Sequence, residues 1–283
     1  MTRKITNISE SKHKKLLHIS KLENRDFNSL EKRYLQERFL YRLSISEFKN
    51  KFILKGGLLL VSIDIPFARP TMDIDFLAQQ ISRNNDNLKH IFQKICEIPL
   101  NDGIIFDHNT ITLEEIDKDG DYNGVRVKLM ALMGTRKTLV SFDLGFSDKT
   151  FPKPREIMFP TILNEEPPQL FAYCLETIVA EKFEAMVKLA LLNSRMKDFY
   201  DVYMILTTQN VNYSILSKSI TTTFGQRKTK LTKRPLCFTA SFYKNAEKQK
   251  QWQGFLKKNN ITNVPNDFSE IVVGIKSILL KII

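Results

Sequence analysis

The most constraining stretch in the chain is Asp73-Ile74-Asp75-Phe76, which follows Lys55-Gly56-Gly57 by a short interval. In an extended strand, residues two apart face the same side. Asp73 and Asp75 then project together, while Ile74 and Phe76 point back into a core. Two adjacent carboxylates repel each other unless a cation sits between them, and hard oxygen donors beside an open position suit Mg²⁺. The competing reading is a solvated strand end, where Asp-x-Asp carries no function. The upstream glycines favour the metal. Gly56 and Gly57 lie between the apolar triplet Phe52-Ile53-Leu54 and the helix-compatible run Leu58-Leu59-Leu60-Val61. A Gly-Gly turn opening a helix lets backbone N–H groups approach an anion.

The order apolar strand, Gly-Gly, helix, Asp-x-Asp resembles the nucleotidyltransferase fold of DNA polymerase β-like enzymes. More narrowly, Lys55-Gly56-Gly57 with Arg69-Pro70-Thr71-Met72-Asp73-Ile74-Asp75 is similar to the AbiEii/AbiGii toxin family of nucleotidyltransferases. Fifteen residues separate Gly57 from Asp73, more than in many polymerase β-like sequences. A longer helix-to-strand loop around Ile65-Pro66-Phe67 accounts for the difference. Glu37-Arg38-Phe39-Leu40-Tyr41-Arg42-Leu43-Ser44 is similar to the lead-in of the same family. Arg38 and Arg42, four apart, could face an acidic partner, but the sequence assigns them no role.

Composition narrows the class. The chain has 283 residues, 42% hydrophobic and 26% charged, enough for one large domain or two modest ones. No apolar run is long enough for a membrane span, and the basic, polar N-terminus does not read as a signal peptide, so a cytoplasmic protein is expected. Cys96, Cys174 and Cys237 are odd in number and widely spaced, which reads as buried free thiols. The four histidines show no ligand spacing that would support zinc. The net charge of +12 divides as +6 over residues 1–50, −3 over 51–200 and +9 over 201–283. Basic flanks around an acidic middle suit a polyanion delivered to a metal site. A lysine-rich solvated surface is the alternative for the flanks taken alone.

Along the chain, helices are expected at Ser11–Ile19, Phe27–Leu43, Leu58–Ile63 and Asn84–Glu97. Strands are expected at Lys51–Leu54, Ile104–Phe106, Thr110–Leu113, Gly124–Met130 and Thr138–Leu144, and Arg69 to Phe76 is expected to lead into and form the second strand. The Asp117–Asp121 turn lacks the Gly and Glu that a calcium loop needs at its sixth and twelfth positions, so it reads as a hairpin turn. The proline-rich stretch from Pro152 to Pro168 marks a boundary between a domain of residues 1–165 and one of 166–283. Beyond it lie a long helix carrying Leu175, Ile178, Val179 and Phe183, a second helix from Lys197 to Leu206, and a closing helix over Ile271–Ile282. Thr221 to Arg234 reads as a basic loop, either holding a nucleic-acid backbone or simply solvated. Trp252 reads as core.

Asp143 stands in the apolar strand Val140-Ser141-Phe142-Asp143-Leu144. A strand beside Asp73–Asp75 would bring it to the same metals, and the segment resembles the third carboxylate of polymerase β-like enzymes. Glu176-Thr177-Ile178-Val179-Ala180-Glu181-Lys182 and Ser194-Arg195-Met196-Lys197-Asp198-Phe199-Tyr200-Asp201 resemble a helix-loop-helix block of the toxin family. By that resemblance Lys182 and Asp198 belong to the active cleft, Lys182 on the triphosphate. Lys197 and Asp201, at i,i+4, read in part as a local surface pair.

The resemblance implies an α/β (α+β) fold: a mixed sheet with flanking helices and a helical C-terminal lobe. It implies transfer of NMP from an NTP, GTP or CTP being favoured, to an acceptor hydroxyl. Gly56, Gly57, Arg69 and Thr71 would hold the nucleotide, and Asp73, Asp75 and Asp143 two Mg²⁺. It further implies a toxin of a toxin–antitoxin or phage-defence operon, with RNA as partner through the tRNA acceptor end. The expected antitoxin carries a winged-helix regulator and need not form a stable complex. Two rivals remain open: a transferase acting on a small-molecule or protein hydroxyl, and a non-catalytic nucleic-acid-binding protein.

Overall fold

The computed structural model describes residues 7–63, 71–118, 122–146 and 150–283. The chain divides into two compact units. The first holds residues up to 62, 70–148 and 156–172; the second holds 63–69, 149–155 and 173–283.

The first unit is built on a mixed seven-stranded sheet. Its strands are β1 (Phe52–Lys55), β2 (Asp73–Ala78), β3 (Ile104–Lys118), β4 (Tyr122–Met133), β5 (Arg136–Phe146), β6 (Arg155–Met158) and β7 (Gln169–Ala172), in the order β3-β4-β5-β2-β1-β7-β6. The β3–β4, β4–β5 and β1–β2 pairs are antiparallel; β2–β5 and β1–β7 are parallel. Helices α1 (Ile8–Leu22), α2 (Phe27–Ser44), α3 (Gly56–Leu59) and α4 (Asn85–Cys96) complete it. Asn7, Asp26 and Asn84 cap α1, α2 and α4 by accepting backbone N–H groups of the first turn.

One sheet face carries the core. Phe39 of α2 and Phe92 of α4 pack on each other and on Phe142 of β5, with ring centroids 4.2–5.7 Å apart. Phe52 and Phe76 extend the same cluster through Phe92. Each fully buried ring contributes roughly 1.5–3 kcal/mol over leaving it exposed. Ile74, Phe76, Val125, Val127, Phe142 and Leu144 all point into this layer. Period two then sends Asp73, Asp75, Arg126 and Asp143 to the opposite face.

The mixed sheet with flanking helices is the expected fold, and most elements stand where the sequence puts them. Three details differ. The helix expected over Leu58–Ile63 is instead a four-residue α-helix beginning at Gly56, continued as a 3-10 turn over Leu60–Ile63. Ile104–Phe106 and Thr110–Leu113 are one strand, interrupted by a register shift between Asp107 and Thr112. The second strand runs from Asp73, with Thr71 and Met72 leading into it, while Arg69 and the Ile65-Pro66-Phe67 loop lie outside the described residues. The proline-rich stretch contributes two short strands at one end of the sheet, flanked rather than interrupted by prolines. The β3–β4 pairing reaches Lys118 and Tyr122, as a hairpin requires, with turn residues 119–121 outside the described set.

The second unit is helical: α5 (Leu175–Leu189), α6 (Met196–Thr208), α7 (Tyr213–Gln226), α8 (Ala240–Tyr243), α9 (Ala246–Lys258) and α10 (Phe268–Leu279). Phe199, Phe242, Trp252 and Phe268 form its aromatic centre. Trp252 is core, and its indole N–H donates to the Pro265 carbonyl at 3.0 Å. Cys96 and Cys237 are buried free thiols, and Cys174 is half-buried. Among the described residues no helix is long and apolar enough to cross a membrane.

Candidate active site

In the first unit the site is organised by register. Antiparallel pairing sets Lys55 opposite Asp75. Parallel pairing sets Asp73 opposite Ser141 and Asp75 opposite Asp143. The three carboxylates read from the sequence therefore share one face, two of them on adjacent strands. Gly56 closes the group from below. Its φ is +70°, and a Cβ there would stand 2.6 Å from Cγ of Asp75. Only glycine permits both that backbone angle and that approach. Gly57 is buried in the first turn of α3, and Thr71 donates its hydroxyl to the Asp73 carbonyl at 3.3 Å.

Asp143 is 4% exposed and is gripped by a residue that the sequence alone does not single out. Arg126, opposite it on β4, donates from Nε to Oδ1 at 2.7 Å and from Nη2 to Oδ2 at 3.0 Å. This parallel fork is the strong form of an arginine–carboxylate pair. Its hydrogen bond to Asp143, opposed by burial and reinforced by Asp143 and Asp73 charge, raises the affinity of Arg126 for its proton. Lys32, on α2, is also drawn by Asp73. Burial lowers its pKa and the Asp73 charge opposes that shift. One turn along α2, Gln36 reaches toward the Thr71 and Met72 carbonyls at 3.4 and 3.5 Å.

The donor set of Asp73, Asp75 and Asp143 is all carboxylate oxygen, the chemistry Mg²⁺ prefers. Among the described residues no three acidic, histidine or cysteine side chains converge into a metal-binding geometry. Both Asp143 oxygens are occupied by Arg126. The residues fit the ion in kind and in strand register.

The second unit carries the other two expected residues, and they do meet. Lys182 of α5 bonds Asp198 Oδ1 and Asp201 Oδ2 of α6, each at 2.8 Å. Arg195 Nε lies 2.7 Å from Asp198 Oδ2. Both carboxylates are fully buried. Burial pushes the Asp198 carboxyl up, and Lys182 and Arg195 overcome it, so the group is held below its ordinary value. Asp201, read in part as the surface partner of Lys197, belongs to this buried cluster. The i,i+4 spacing hides that, because the cluster draws its lysine from another helix.

The basic stretch needs correcting as well. Residues 221–226 are the last turns of α7, not loop. Arg227 pairs with Glu184 at 2.7 Å and Glu181 at 3.2 Å, while Thr229 also bonds Glu184. Lys228, Lys230, Lys233 and Arg234 are exposed.

Arg38 and Arg42 do face an acidic partner. Asp102 Oδ2 accepts from Arg38 Nε at 3.0 Å and from Arg42 Nη1 at 2.7 Å, and Arg42 Nη2 adds a bond to Oδ1 at 3.2 Å. All three are buried. Burial pushes the Asp102 carboxyl up, and the two arginines reverse that to leave it low. The lead-in segment thus fixes the fold under the site.

Two solved structures share this architecture. One is JHP933 from Helicobacter pylori, 14% identical, with 91% of this chain and 92% of that chain covered and a TM-score of 0.52. The other is a candidate nucleotidyltransferase from H. pylori, 13% identical, covering 91% and 95%, also at 0.52. At such identities they show a common fold. No curated protein matches the chain. Residues 38–273 match the family described as nucleotidyl transferase AbiEii toxin, type IV TA system. With Gly56 packed against Asp75, its aligned carboxylates and a match over most of its length, the chain belongs to the AbiEii family of nucleotidyltransferase toxins.

Proposed function

We propose that this nucleotidyltransferase moves an NMP unit from GTP or CTP to the 3′-hydroxyl of tRNA, as a cytoplasmic toxin of a toxin–antitoxin or phage-defence operon. The acceptor oxygen bonds to the α-phosphorus, the bond from that phosphorus to the β-bridging oxygen breaks, and pyrophosphate leaves with the electron pair. The acceptor proton is lost to water. The observation that carries the reading is the alignment of Asp73, Asp75 and Asp143 on one sheet face, with Gly56 beneath Asp75.

Asp73, Asp75 and Asp143 would hold two Mg²⁺, which lower the pKa of the attacking hydroxyl and steady the leaving pyrophosphate when bound. Gly56 and Gly57 would bring bare backbone close to the phosphates, with Thr71, just ahead of β2, and Arg69 as further nucleotide-binding residues. By the family resemblance Lys182 would serve the triphosphate and Asp198, which bonds it at 2.8 Å, would orient it. The exposed Lys228, Lys230, Lys233 and Arg234 offer a surface for the RNA backbone. The partner would be a cognate antitoxin with a winged-helix regulator, which need not form a stable complex with this chain.

The test incubates the protein with total tRNA, Mg²⁺ and each α-labelled NTP in turn, beside Asp75→Asn. Label on tRNA with one nucleotide, absent from the variant, supports the reading and names the nucleotide. Label on no RNA with any NTP removes the RNA acceptor and leaves a protein or small-molecule hydroxyl.

A further inference from the structure

We infer that Arg126 is a latch on Asp143, an internal cation that satisfies this carboxylate until a divalent ion and a nucleotide together replace it. The inference rests on the metal-site reading above and adds an order of events to it.

Three observations carry it. First, Asp143 stands beside Asp75 across a parallel strand pair, with Asp73 on the same face. Carboxylates so placed need a positive charge among them. Second, the charge is already supplied. Both Asp143 oxygens are taken by the Arg126 fork at 2.7 and 3.0 Å, and Asp73 attracts the same guanidinium. Third, the two partners differ in freedom. The Asp143 side chain is 5% exposed, whereas that of Arg126 is 32% exposed. Asp143 is fixed by its strand, but Arg126 can swing toward solvent without unpacking the core.

Such a pair makes three-carboxylate metal binding conditional. A divalent ion that recruits Asp143 must displace Arg126. A displaced guanidinium wants an anion, and planar arginine forks match phosphate oxygens. An incoming triphosphate supplies that anion. Metal and nucleotide then assist each other, each binding better when the other is present.

The test titrates Mn²⁺ into the full chain and follows free ion by electron paramagnetic resonance. It compares wild type, Arg126→Gln, Arg126→Lys and Asp75→Asn, with and without an α,β-methylene NTP analogue. Removing Arg126 leaves a buried carboxylate seeking a cation. Without the analogue, Arg126→Gln should bind Mn²⁺ at least about tenfold more tightly than wild type. Wild type should gain about as much on adding the analogue, and Arg126→Gln little. Arg126→Lys, keeping charge but losing the fork, should fall between. Should the glutamine variant fail to fold, the lysine variant carries the comparison. Equal or weaker Mn²⁺ binding in the Arg126 variants overturns the latch, provided wild type with analogue binds Mn²⁺ through Asp75. If no Mn²⁺ binding depends on Asp75 even with the analogue, the metal-site reading itself falls and the latch with it.

Discussion

Asp75 lies directly over Gly56, so close that a Cβ on the glycine would stand 2.6 Å from the carboxylate carbon. The pair joins two physical demands, a positive φ and a carboxylate held rigidly at the end of its strand pair. Gly56→Ala must either twist the turn or push Asp75 aside. The backbone conflict alone costs roughly 1–2 kcal/mol. Urea unfolding should register that modest loss, while nucleotide transfer falls by about a hundredfold or more if Asp75 serves the proposed chemistry and is displaced by about an ångström. A variant with full turnover would separate Asp75 from the chemistry.

Lys182 serves two buried carboxylates at once, and its removal has a structural cost that is easily mistaken for a catalytic one. Lys182→Ala leaves Asp198 and Asp201 buried with less positive charge. Breaking a buried pair in this way costs about 3–5 kcal/mol. Chemical denaturation should show that loss. Lys182→Arg should recover most of the stability, and transfer activity in that variant then reports on the lysine's role toward the triphosphate.

Asp102 gives a pH signature. Burial would raise its folded carboxyl, yet Arg42 and Arg38 outweigh burial and hold it low. A depressed carboxyl contributes stability above its ordinary unfolded pKa of about 3.9 and loses it as pH falls through the lower folded value. Asp102→Asn should therefore be less stable than wild type at neutral pH. The gap in urea midpoints should narrow as the pH falls below about 4. A gap that is constant over this range would mean that the arginines do not hold the charge.

The basic residues after α7 should divide into two kinds. Neutralising Lys228, Lys230, Lys233 and Arg234 should leave the unfolding free energy within about 0.5 kcal/mol of wild type, as exposed sites do. With tRNA as the proposed partner, the same change should flatten the salt dependence of its binding by about 0.7 in log–log slope for each phosphate no longer neutralised. Arg227→Ala should do the reverse, destabilising the chain because Glu184 is buried beneath it. An unchanged salt slope in the fourfold variant would place the RNA elsewhere.

Much of the fold and of the candidate site is legible in the residues. Period two alone puts Asp73 and Asp75 on one face, and the apolar residues interleaved with them name the buried side. Asp143 stands out as a charge in an apolar strand. Its partner does not. Arg126 alternates with Val125 and Val127, which says only that it faces away from the core. Which carboxylate lies opposite depends on the β4–β5 register, a tertiary property. The pairing of Arg38 and Arg42 with Asp102 is hidden for the same reason, since these partners lie 64 and 60 residues apart in the chain. The extent of α7 is obscured differently. Thr221, Thr222, Thr223 and Gly225 are poor helix formers, yet burial of Thr223 and Phe224 carries the helix through them.

The parallel pairing of β2 with β5 sets a condition on time as well as on space. Between these strands in sequence lie α4 and the whole β3–β4 hairpin. Antiparallel neighbours joined by short turns form early, whereas a parallel partner brought from far along the chain must wait for the loop between to close. Asp75 and Asp143 are therefore expected to meet late in folding. A chain still emerging from a ribosome carries Asp73 and Asp75 before the strand that sets Asp143 beside them.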